Sequence, residues 1–219
     1  LGARVGYTTT MKVVVFGASG KVGSRVVELL LAQKHDVFAV VHSRDIFQGS
    51  PNLYVKKLDV HDADAVAEVV EGAGAVLSCV SSWGSKNGDV LSSAMRVIVP
   101  AMKQHNVHRL VSLTGSGAVI SADKSNPVQK AGHFMMSAVA PKVLADGEEH
   151  IRLLQKSDLE WIVLRSPVMN NRGSDAYKLT KLPTKNPLAT VNRQAVAQAM
   201  VDLIENPEWV RKAPCIERP

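Results

Sequence analysis

The chain has 219 residues, 46% of them hydrophobic and 21% charged, and this composition excludes collagen-like, low-complexity and disordered proteins. The length predicts one domain with one large core. The formal net charge of +6, from 26 Lys and Arg against 20 Asp and Glu, is compatible with nucleic acid, a membrane surface or a small anionic ligand as the partner. The chain has 2 cysteines, too few for a disulfide framework or a zinc cluster, so we expect no metal site.

The first ten residues carry no recognisable targeting signal. Residues 1–10 lack the apolar core and the cleavage site of a secretory signal, and Met11 directly precedes the first predicted strand. We interpret 1–10 as an upstream extension or a cloning remnant, and 11–219 as the domain. No apolar stretch approaches the roughly 18 residues that a membrane span needs. We therefore expect a cytoplasmic protein without a membrane partner.

Short apolar runs alternate with segments of helical spacing throughout the chain. The segment after the first run shows the helical pattern, since Val22, Val26 and Leu30 fall on one face. Such alternation predicts βαβ units and therefore an α/β fold with a doubly wound parallel sheet of the Rossmann-like kind. In chain order, the predicted strands are Lys12–Phe16, Val37–Val41, Leu53–Lys57, Ala75–Val80, Arg109–Leu113 and Trp161–Arg165, and the predicted helices are Val22–Lys34, Ala63–Glu71, Val90–His105, Leu144–Lys156 and Gln194–Glu205.

Two regions interrupt this alternation. Gly115–Pro141 is rich in Gly, Ser and Pro and contains an apolar patch at Phe134–Met136, where a short loop would suffice. Asn170–Pro187 is polar and rich in lysine. Loops this long in a compact domain are usually functional, so we expect these irregular loops to select the substrate. The tail after the last helix is expected to add an edge strand.

The most specific motif lies between the first strand and the first helix. Its sequence, Gly-Ala-Ser-Gly-Lys-Val-Gly at positions 17–23, places the glycines in a GxxGxxG spacing. Glycine permits a tight turn and a close approach of backbone N–H groups to a diphosphate, and the helix start adds unpaired donors. A glycine-rich turn without a ligand is the alternative. The residues predicted to bind the diphosphate are Gly17, Ser19, Gly20, Lys21, Val22 and Gly23.

The end of the second strand indicates which dinucleotide is bound. An NAD site usually has an acidic residue about 20 positions after the glycines, whereas this chain has His42, Ser43 and Arg44 there. Arg44 would pair with a 2′-phosphate, Ser43 would donate to it, and Lys21 is a second nearby cation. The sequence therefore predicts NADP(H) as the cofactor. Asp45 speaks against this interpretation, and Arg44 as a solvated surface charge is the alternative.

Together these features resemble an atypical short-chain dehydrogenase/reductase of the NmrA-like, NAD(P)-binding family. Besides the glycine motif, the similarity is carried by Leu58-Asp59-Val60, by the strand at 109–114 and by the Leu-Arg-Ser-Pro segment at 164–167. It covers nearly all of 11–205. Within the family, the chain looks most like the biliverdin-IXβ/flavin reductase branch.

Two further strand ends are expected to complete the cofactor path. The resemblance implies that Asp59, followed by Val60 at the end of the third strand, meets the adenine amino group. Val80, Ser81 and Ser82 follow the fourth strand, near the expected nicotinamide ribose. The two serines are equally consistent with a simple turn.

The chain departs from the family pattern at the catalytic tyrosine. Typical members carry Tyr-x-x-x-Lys after the fifth strand, but no tyrosine occurs between Gly117 and Asp158. Tyr177 and Lys181 have this spacing and lie beyond the sixth strand, in the second irregular region. We interpret their spacing as coincidental.

Three other residues are candidates for contact with the substrate. Thr114 ends the fifth strand, where the family often has serine, and Ser116 follows two residues later; either hydroxyl would hydrogen-bond a substrate oxygen. His150 lies on the helix that normally carries the lysine, in a segment similar to one of the flavin-reductase-like branch. A pKa near neutrality would let His150 donate a proton. An exposed helix histidine without a catalytic role is the alternative.

Without a proton-donating tyrosine, the site favours an acceptor that is easily reduced. NADPH supplies a hydride, and a flavin, a quinone or a similar conjugated acceptor takes its protons from solvent, whereas a ketone needs an acid. We therefore expect an NADPH-dependent oxidoreductase acting on such a small molecule. A non-catalytic NADP(H)-binding regulator that reports redox state to a protein partner is the alternative. The Lys and Arg residues are dispersed among acids, which argues against a nucleic-acid partner.

Overall fold

The computed structural model describes residues 10–85, 87–120, 123 and 126–219. These ranges contain ten strands and six helices. The strands are β1 (Lys12–Phe16), β2 (Asp36–Val41), β3 (Leu53–Lys57), β4 (Ala75–Ser78), β5 (Arg109–Gly115), β6 (Glu160–Ser166), β7 (Val168–Asn170), β8 (Lys178–Thr180), β9 (Thr190–Asn192) and β10 (Cys215–Glu217). The helices are α1 (Gly23–Ala32), α2 (Ala63–Val70), α3 (Val90–Gln104), α4 (Pro127–Val139), α5 (Pro141–Gln155) and α6 (Arg193–Asp202).

Eight strands form one sheet in the order β3-β2-β1-β4-β5-β6-β10-β8. Neighbours from β3 to β10 run parallel, and β8 runs antiparallel to β10 at the edge. The chain starts at β1, moves outward to β3, and then continues from β4 on the other side of β1. This reversal leaves a crevice at the carboxyl ends of β1 and β4, which is where such sheets bind ligands. A small parallel pair, β7 with β9, forms a separate sheet.

Alternate residues of the central strands build two apolar layers. In β1, Val13 and Val15 belong to the layer shared with α1 and α6, whereas Val14 and Phe16 belong to the layer shared with α2, α3 and α5. All four side chains are buried. A parallel strand that is covered on both faces needs no polar alternation, which explains the unbroken hydrophobic runs in the sequence. The predicted α/β fold with a doubly wound, largely parallel sheet is confirmed.

The predicted elements agree closely with the observed ones. All six predicted strands and all five predicted helices are present, and their ends differ from the prediction by no more than three residues. The regions that were predicted to be irregular are where the structure differs.

The first irregular region contains a helix that the sequence analysis missed. Within Gly115–Pro141, α4 spans Pro127–Val139 and leads almost directly into α5. Asn126 caps α4, because its side chain accepts a hydrogen bond from Gln129 N at 2.8 Å, and a proline occupies the first turn. Gln129 is the buried residue of this helix, so the apolar side chains of α4 do not form part of the core. The expectation of a continuous loop is therefore wrong.

The tail also takes a different place from the expected one. β10 lies between β6 and β8, whereas β8, from the second irregular region, forms the edge. The backbone just before β10 pairs with β6, since Val163 N donates to Lys212 O at 3.1 Å and Arg165 N donates to Pro214 O at 2.8 Å. The tail is thus an interior strand, and the expectation of an edge strand is wrong.

Three of the sequence predictions concern the N-terminal extension, a membrane span and a metal site. Residues 1–9, which belong to the predicted extension, lie outside them. Within the described ranges, no helix is both long and apolar enough to cross a bilayer. In the same part of the chain, no group of three or more His, Cys, Asp or Glu side chains is arranged to hold a metal ion.

Candidate functional site

The loop between β1 and α1 has no room for side chains at Gly17 and Gly23. Gly17 has a φ of +72°, in the left-handed region, and a Cβ there would lie 2.9 Å from the Cys79 carbonyl carbon. A Cβ on Gly23 would overlap the Gly17 carbonyl oxygen. Gly20 N donates to Gly17 O at 3.0 Å, which closes the turn. The loop therefore presents backbone at the crevice beside β4, as close contact with a ligand requires.

The start of α1 adds hydrogen-bond donors for an anion. Val22 precedes the helix without a side-chain cap, and the first turn contains no acidic residue. The first backbone N–H groups of a helix have no partner within it and lie at the positive end of its dipole. Ser19 is half-buried and Lys21 is exposed beside them. The glycine cradle and the open helix start together fit a diphosphate group.

His42, Ser43 and Arg44 are exposed directly after β2, at the same sheet edge as the glycine loop. Asp45, the acid that speaks against a 2′-phosphate, accepts a hydrogen bond from Phe47 N at 2.9 Å. Its carboxylate is thus used by its own turn. The Arg44 guanidinium is therefore available to solvent or to a phosphate.

Asp59 is held in place by a neighbouring histidine. Its Oδ1 accepts a hydrogen bond from His61 N at 3.0 Å and lies 2.8 Å from His61 Nδ1. The backbone hydrogen bond from His61, followed by the one from its ring, lowers the pKa of Asp59 below its usual value. His61 Nε2 lies 3.3 Å from Ser93 Oγ on α3. Asp59 is thus a fixed, exposed carboxylate after β3, followed by the half-buried Val60.

The residues after β4 have contrasting surroundings. Val80 is half-buried. Ser81 is exposed, and its Oγ accepts a hydrogen bond from Trp83 N at 3.2 Å, as in a simple turn. Ser82 is 2% exposed, and its hydroxyl donates to Asp146 on α5. Because that hydroxyl is already committed to α5, the geometry gives no support to the predicted cofactor contact through Ser82.

Asp146 is an important position that the sequence analysis missed. It is buried on α5, where its Oδ2 accepts a hydrogen bond from Leu91 N at 2.8 Å and its Oδ1 accepts one from Ser92 N at 2.9 Å. α3 has no side-chain cap from its own segment, so a carboxylate of another helix caps it. Asp146 lies 54 residues after Ser92, and no local sequence signal reveals a cap at that distance.

His150 lies in the core. Its ring is fully buried, its Nε2 lies 3.0 Å from Ser112 Oγ, and its Nδ1 has no hydrogen-bond partner among the described residues. Burial lowers the pKa of His150 to about 4, although the charge of Asp146 opposes this shift. The expected near-neutral pKa is therefore wrong, as is the alternative of an exposed helix histidine. A neutral, buried imidazole is a poor proton donor, so the geometry gives the predicted catalytic role no support.

Thr114 lies near the end of β5 and Ser116 directly follows the strand, and the two have different surroundings. Thr114 is buried against α5, where a Cβ on Gly147 would lie 2.6 Å from its Oγ1. Gly147 thus allows α5 to approach the strand end closely. Ser116 is half-buried, and its backbone N donates to Ser166 O at 2.8 Å. Of the two, Ser116 lines the cavity beyond the strand ends.

This cavity, which we call the α4 cavity, has a volume of about 320 Å³. Its walls come from α4, from the segment 183–190 and from β10, together with Ser116 and Pro167 after β5 and β6. Both irregular regions of the sequence therefore contribute to one cavity. Its volume lies at the lower end of the range found for small-molecule sites.

A buried arginine joins the elements around the α4 cavity. The side chains of Arg165 and Asp123 are 1% and 6% exposed, and Asp123 accepts hydrogen bonds from both Nη atoms. Further N–H groups of Arg165 donate to the backbone oxygens of Ala118, Lys181 and Ala213. One side chain of β6 thereby holds the segment before α4, the residue after β8 and the segment before β10. The sequence marked this arginine by its motif without indicating its partners.

Tyr177 is used for packing. Its hydroxyl donates to Asp202 on α6. Burial, followed by the bond to Asp202, raises the pKa of Tyr177 far above its usual value. A phenol that is this difficult to ionise does not serve as a catalytic acid or base at neutral pH. The interpretation of the spacing between Tyr177 and Lys181 as coincidental agrees with this placement.

The doubly wound sheet, the glycine loop at its crevice and the open start of α1 define a Rossmann-like dinucleotide-binding protein. A family model described as NAD(P)H-binding matches residues 17–207. The chain belongs to this NAD(P)H-binding family.

The chain is also similar to curated proteins and to solved structures. An uncharacterized protein of Mycobacterium tuberculosis is 26% identical over 176 residues, or 79% of this chain and 17% of that protein. The chain thus spans about a sixth of the length of the curated relatives reported with it.

Two solved structures show the same fold. A short-chain dehydrogenase/reductase (wide type) from Veillonella parvula in complex with NADP has a TM-score of 0.75 at 16% identity, with 96% of each chain covered. ChuY, an anaerobillin reductase from Escherichia coli O157:H7, has a TM-score of 0.72 at 21% identity, with 95% of this chain and 97% of that chain covered. At these identities, the likeness concerns the fold alone.

Proposed function

We propose that the protein is an NADPH-dependent oxidoreductase that reduces a flavin, a quinone or a similar conjugated acceptor. The observation that carries the proposal is that the glycine cradle follows β1 and the α4 cavity lies beyond the carboxyl ends of β5 and β6, so both occupy the carboxyl end of one parallel sheet. The family binds NAD(P)H, and bound NADPH supplies a hydride. The cavity supplies a separate place for the molecule that receives it.

The choice of NADPH over NADH is supported by the end of β2. Arg44 is exposed there, and the neighbouring carboxylate of Asp45 is turned to the backbone of Phe47. An arginine that is not paired with the neighbouring acid suits a 2′-phosphate. The solved relative from Veillonella parvula holds NADP, which is compatible with this preference.

The charged groups of the α4 cavity restrict the acceptor. Glu217 accepts hydrogen bonds from Thr184 and Lys185. Burial works to raise the pKa of Glu217, but these bonds prevail and lower it. Glu217 is therefore ionised near neutral pH and has no proton to give. A ketone needs an acid for its developing alkoxide, whereas a conjugated acceptor takes its proton from solvent.

Turnover with a panel of acceptors tests this proposal. We expect oxidation of NADPH, followed by its absorbance, with flavin mononucleotide or menadione and none with 2-butanone. Omission of the protein is the control for direct reaction of NADPH with the acceptors.

A non-catalytic NADP(H)-binding regulator is the second candidate, and the burial of His150 favours it because the predicted proton donor is withdrawn. Tight NADPH binding without turnover on any acceptor would overturn the reductase and leave the regulator.

A further inference from the structure

We propose that His61, held from α3 by Ser93, is a positioning residue that fixes the Asp59 carboxylate and thereby selects a nucleotide whose purine carries an exocyclic amino group. The inference rests on the proposed binding of NADP(H) and narrows it to the base of the nucleotide. It concerns the exposed end of β3, away from the α4 cavity.

The ends of β2 and β3 form the part of the crevice that the base is expected to reach. The glycine loop follows β1, and Arg44 follows β2, which lies on the opposite side of β1 from β4. A dinucleotide with its diphosphate at the glycine loop and its 2′-phosphate beside Arg44 therefore directs its base toward β3. Leu58 N donates to Val41 O at 3.1 Å. The chain thus leaves β3 beside the end of β2, and Asp59 is its next residue.

Asp59 offers an accessible acceptor at this place. Its side chain is 58% exposed. Oδ1 accepts a hydrogen bond from His61 N at 3.0 Å and lies 2.8 Å from His61 Nδ1, whereas no hydrogen bond within the described residues reaches Oδ2. An ionised carboxylate accepts and does not donate, so Oδ2 is suited to an N–H group of the base.

His61 is held at both of its ring nitrogens. Nδ1 faces the Asp59 carboxylate, and Nε2 lies 3.3 Å from Ser93 Oγ in the first turn of α3. The ring would lose both contacts if it turned, because the two nitrogens lie on different sides of it. These contacts fix the ring although the side chain is 59% exposed.

Ser93 is a fixed point because the first turn of α3 is closed by a carboxylate from α5. Leu91 N and Ser92 N donate to Asp146 at 2.8 and 2.9 Å. The Asp59 carboxylate is therefore supported, through a histidine, by a capped helix. A side chain that is ordered before the nucleotide arrives loses little further freedom on binding.

A fixed carboxylate discriminates between purines more sharply than a free one. In adenine, the exocyclic amino group donates. In hypoxanthine, an oxygen takes its place and the adjacent ring nitrogen carries a hydrogen. A carboxylate held in place meets the exocyclic group alone, whereas one that is free to turn reaches the ring N–H and recovers the bond. The preference for adenine therefore depends on His61 as well as on Asp59.

NADP⁺ and nicotinamide hypoxanthine dinucleotide phosphate are matched probes, because they differ at this edge of the purine alone. Titration calorimetry measures both affinities. We expect the natural protein to bind NADP⁺ about tenfold more tightly, as one hydrogen bond to a charged group provides. In His61→Ala and in Ser93→Ala, the ratio falls to about threefold or less, because the carboxylate is free to turn.

Two variants serve as controls. Ser93→Thr keeps the hydroxyl and is expected to keep the tenfold ratio. His108→Ala removes an exposed histidine before β5, at the opposite end of the sheet, and is also expected to keep it.

Two results would overturn the role of His61: equal affinities of the two nucleotides for the natural protein, or a tenfold ratio that persists in His61→Ala. Equal losses of both affinities in His61→Ala are the second case and would show a purely structural role. A ratio that falls in His61→Ala but persists in Ser93→Ala would overturn the support from α3.

The calorimetry needs no acceptor and no turnover, which separates this inference from the reductase proposal. A preference for NADP⁺ that depends on His61, without oxidation of NADPH by any acceptor, would overturn the reductase and support the role of His61. Oxidation of NADPH by quinones with equal affinities for the two nucleotides would do the reverse. Absence of binding of either nucleotide would overturn both.

Discussion

The Arg44 side chain is the residue on which the choice of cofactor depends. A 2′-phosphate beside it gains a charge-assisted hydrogen bond, and NADH has no group to use this cation. Arg44→Ala is therefore expected to weaken NADPH binding about ten- to a hundredfold and NADH binding far less. Titration calorimetry with both nucleotides measures the difference. Lys156→Ala, at an exposed cation after α5, is the control and is expected to change neither affinity. Equal losses for both nucleotides in Arg44→Ala would contradict the assignment to NADP(H).

At the residue scale, the sequence was informative where a residue's role depends on its neighbours in the chain. Gly17 and Gly23 were predictable because a turn between strand and helix imposes their conformation and spacing. The surroundings of His150 and Ser82 were not predictable because burial is a property of the folded chain: the His150 ring contacts Ser112 of β5, and Ser82 donates to Asp146 on α5. The burial of Gln129 was unpredictable for the same reason, since its Nε2 donates to Asp123, which is paired with Arg165.

Among the elements, β10 has a larger role than its three residues indicate. It separates β6 from β8, and its Ile216 is fully buried. Deleting 215–219 removes these contacts and exposes the edge of β6, so we expect the free energy of unfolding to fall by at least about 3 kcal/mol. Urea unfolding followed by circular dichroism measures the loss, and deletion of Pro219 alone is the control. A truncated chain as stable as the full one would show that the tail is dispensable, as expected of an edge strand.

The elements that were predicted correctly are those with a strong periodic signal. β1 and β4 are covered on both faces, and their continuous apolar runs are typical of buried parallel strands. α4 was missed because the Gly, Ser and Pro residues of its region were interpreted as signs of a loop. In the structure its apolar residues Phe134 and Val139 are exposed. The pair Asn126-Pro127 was the available signal, as a cap followed by a proline in the first turn.

Stability of the whole molecule is expected to depend on pH through His150. Burial lowers its pKa from 6.5 to about 4 in the folded state, so the unfolded chain binds the proton more tightly. The contribution of neutral His150 to the free energy of unfolding is complete above the pKa of the unfolded chain and is lost as the pH falls from about 6.5 toward about 4. Lowering the pH from about 7.5 to about 5 should therefore cost on the order of 2 kcal/mol.

Urea unfolding at these two pH values, with the natural protein and with His150→Gln, measures this contribution. The glutamine keeps a polar group near Ser112 and has no proton to gain, so we expect His150→Gln to lose less stability on acidification. The same pH dependence in both proteins would show that groups other than His150 cause the loss of stability at low pH.

For the molecule as a whole, the topology was predictable and the cavity was not. The order of strands and helices follows from alternation along the chain, which is a local property. The α4 cavity is formed by segments distant in sequence, from Ser116 to Arg218, and the pairing of Arg165 with Asp123 that joins the surrounding elements has no signature in the chain. The volume and polarity of such a cavity depend on how α4 and the segment 183–190 pack against the end of the sheet.

The pattern of helix caps determines where a charged ligand can anchor. In the described chain, α2, α4 and α6 are closed by Asp62, Asn126 and Asn192. α3 is closed by Asp146 from across the fold, and α5 continues from α4 by way of Ala140. The start of α1 has no side-chain cap and no acidic residue in its first turn, so no side chain of the helix offsets the positive end of its dipole. We therefore expect a diphosphate to bind at the start of α1, and a cofactor bound there would extend along the crevice in a single direction. The direction in which the cofactor would lie thus depends on the fold and not on the side chains of the α4 cavity.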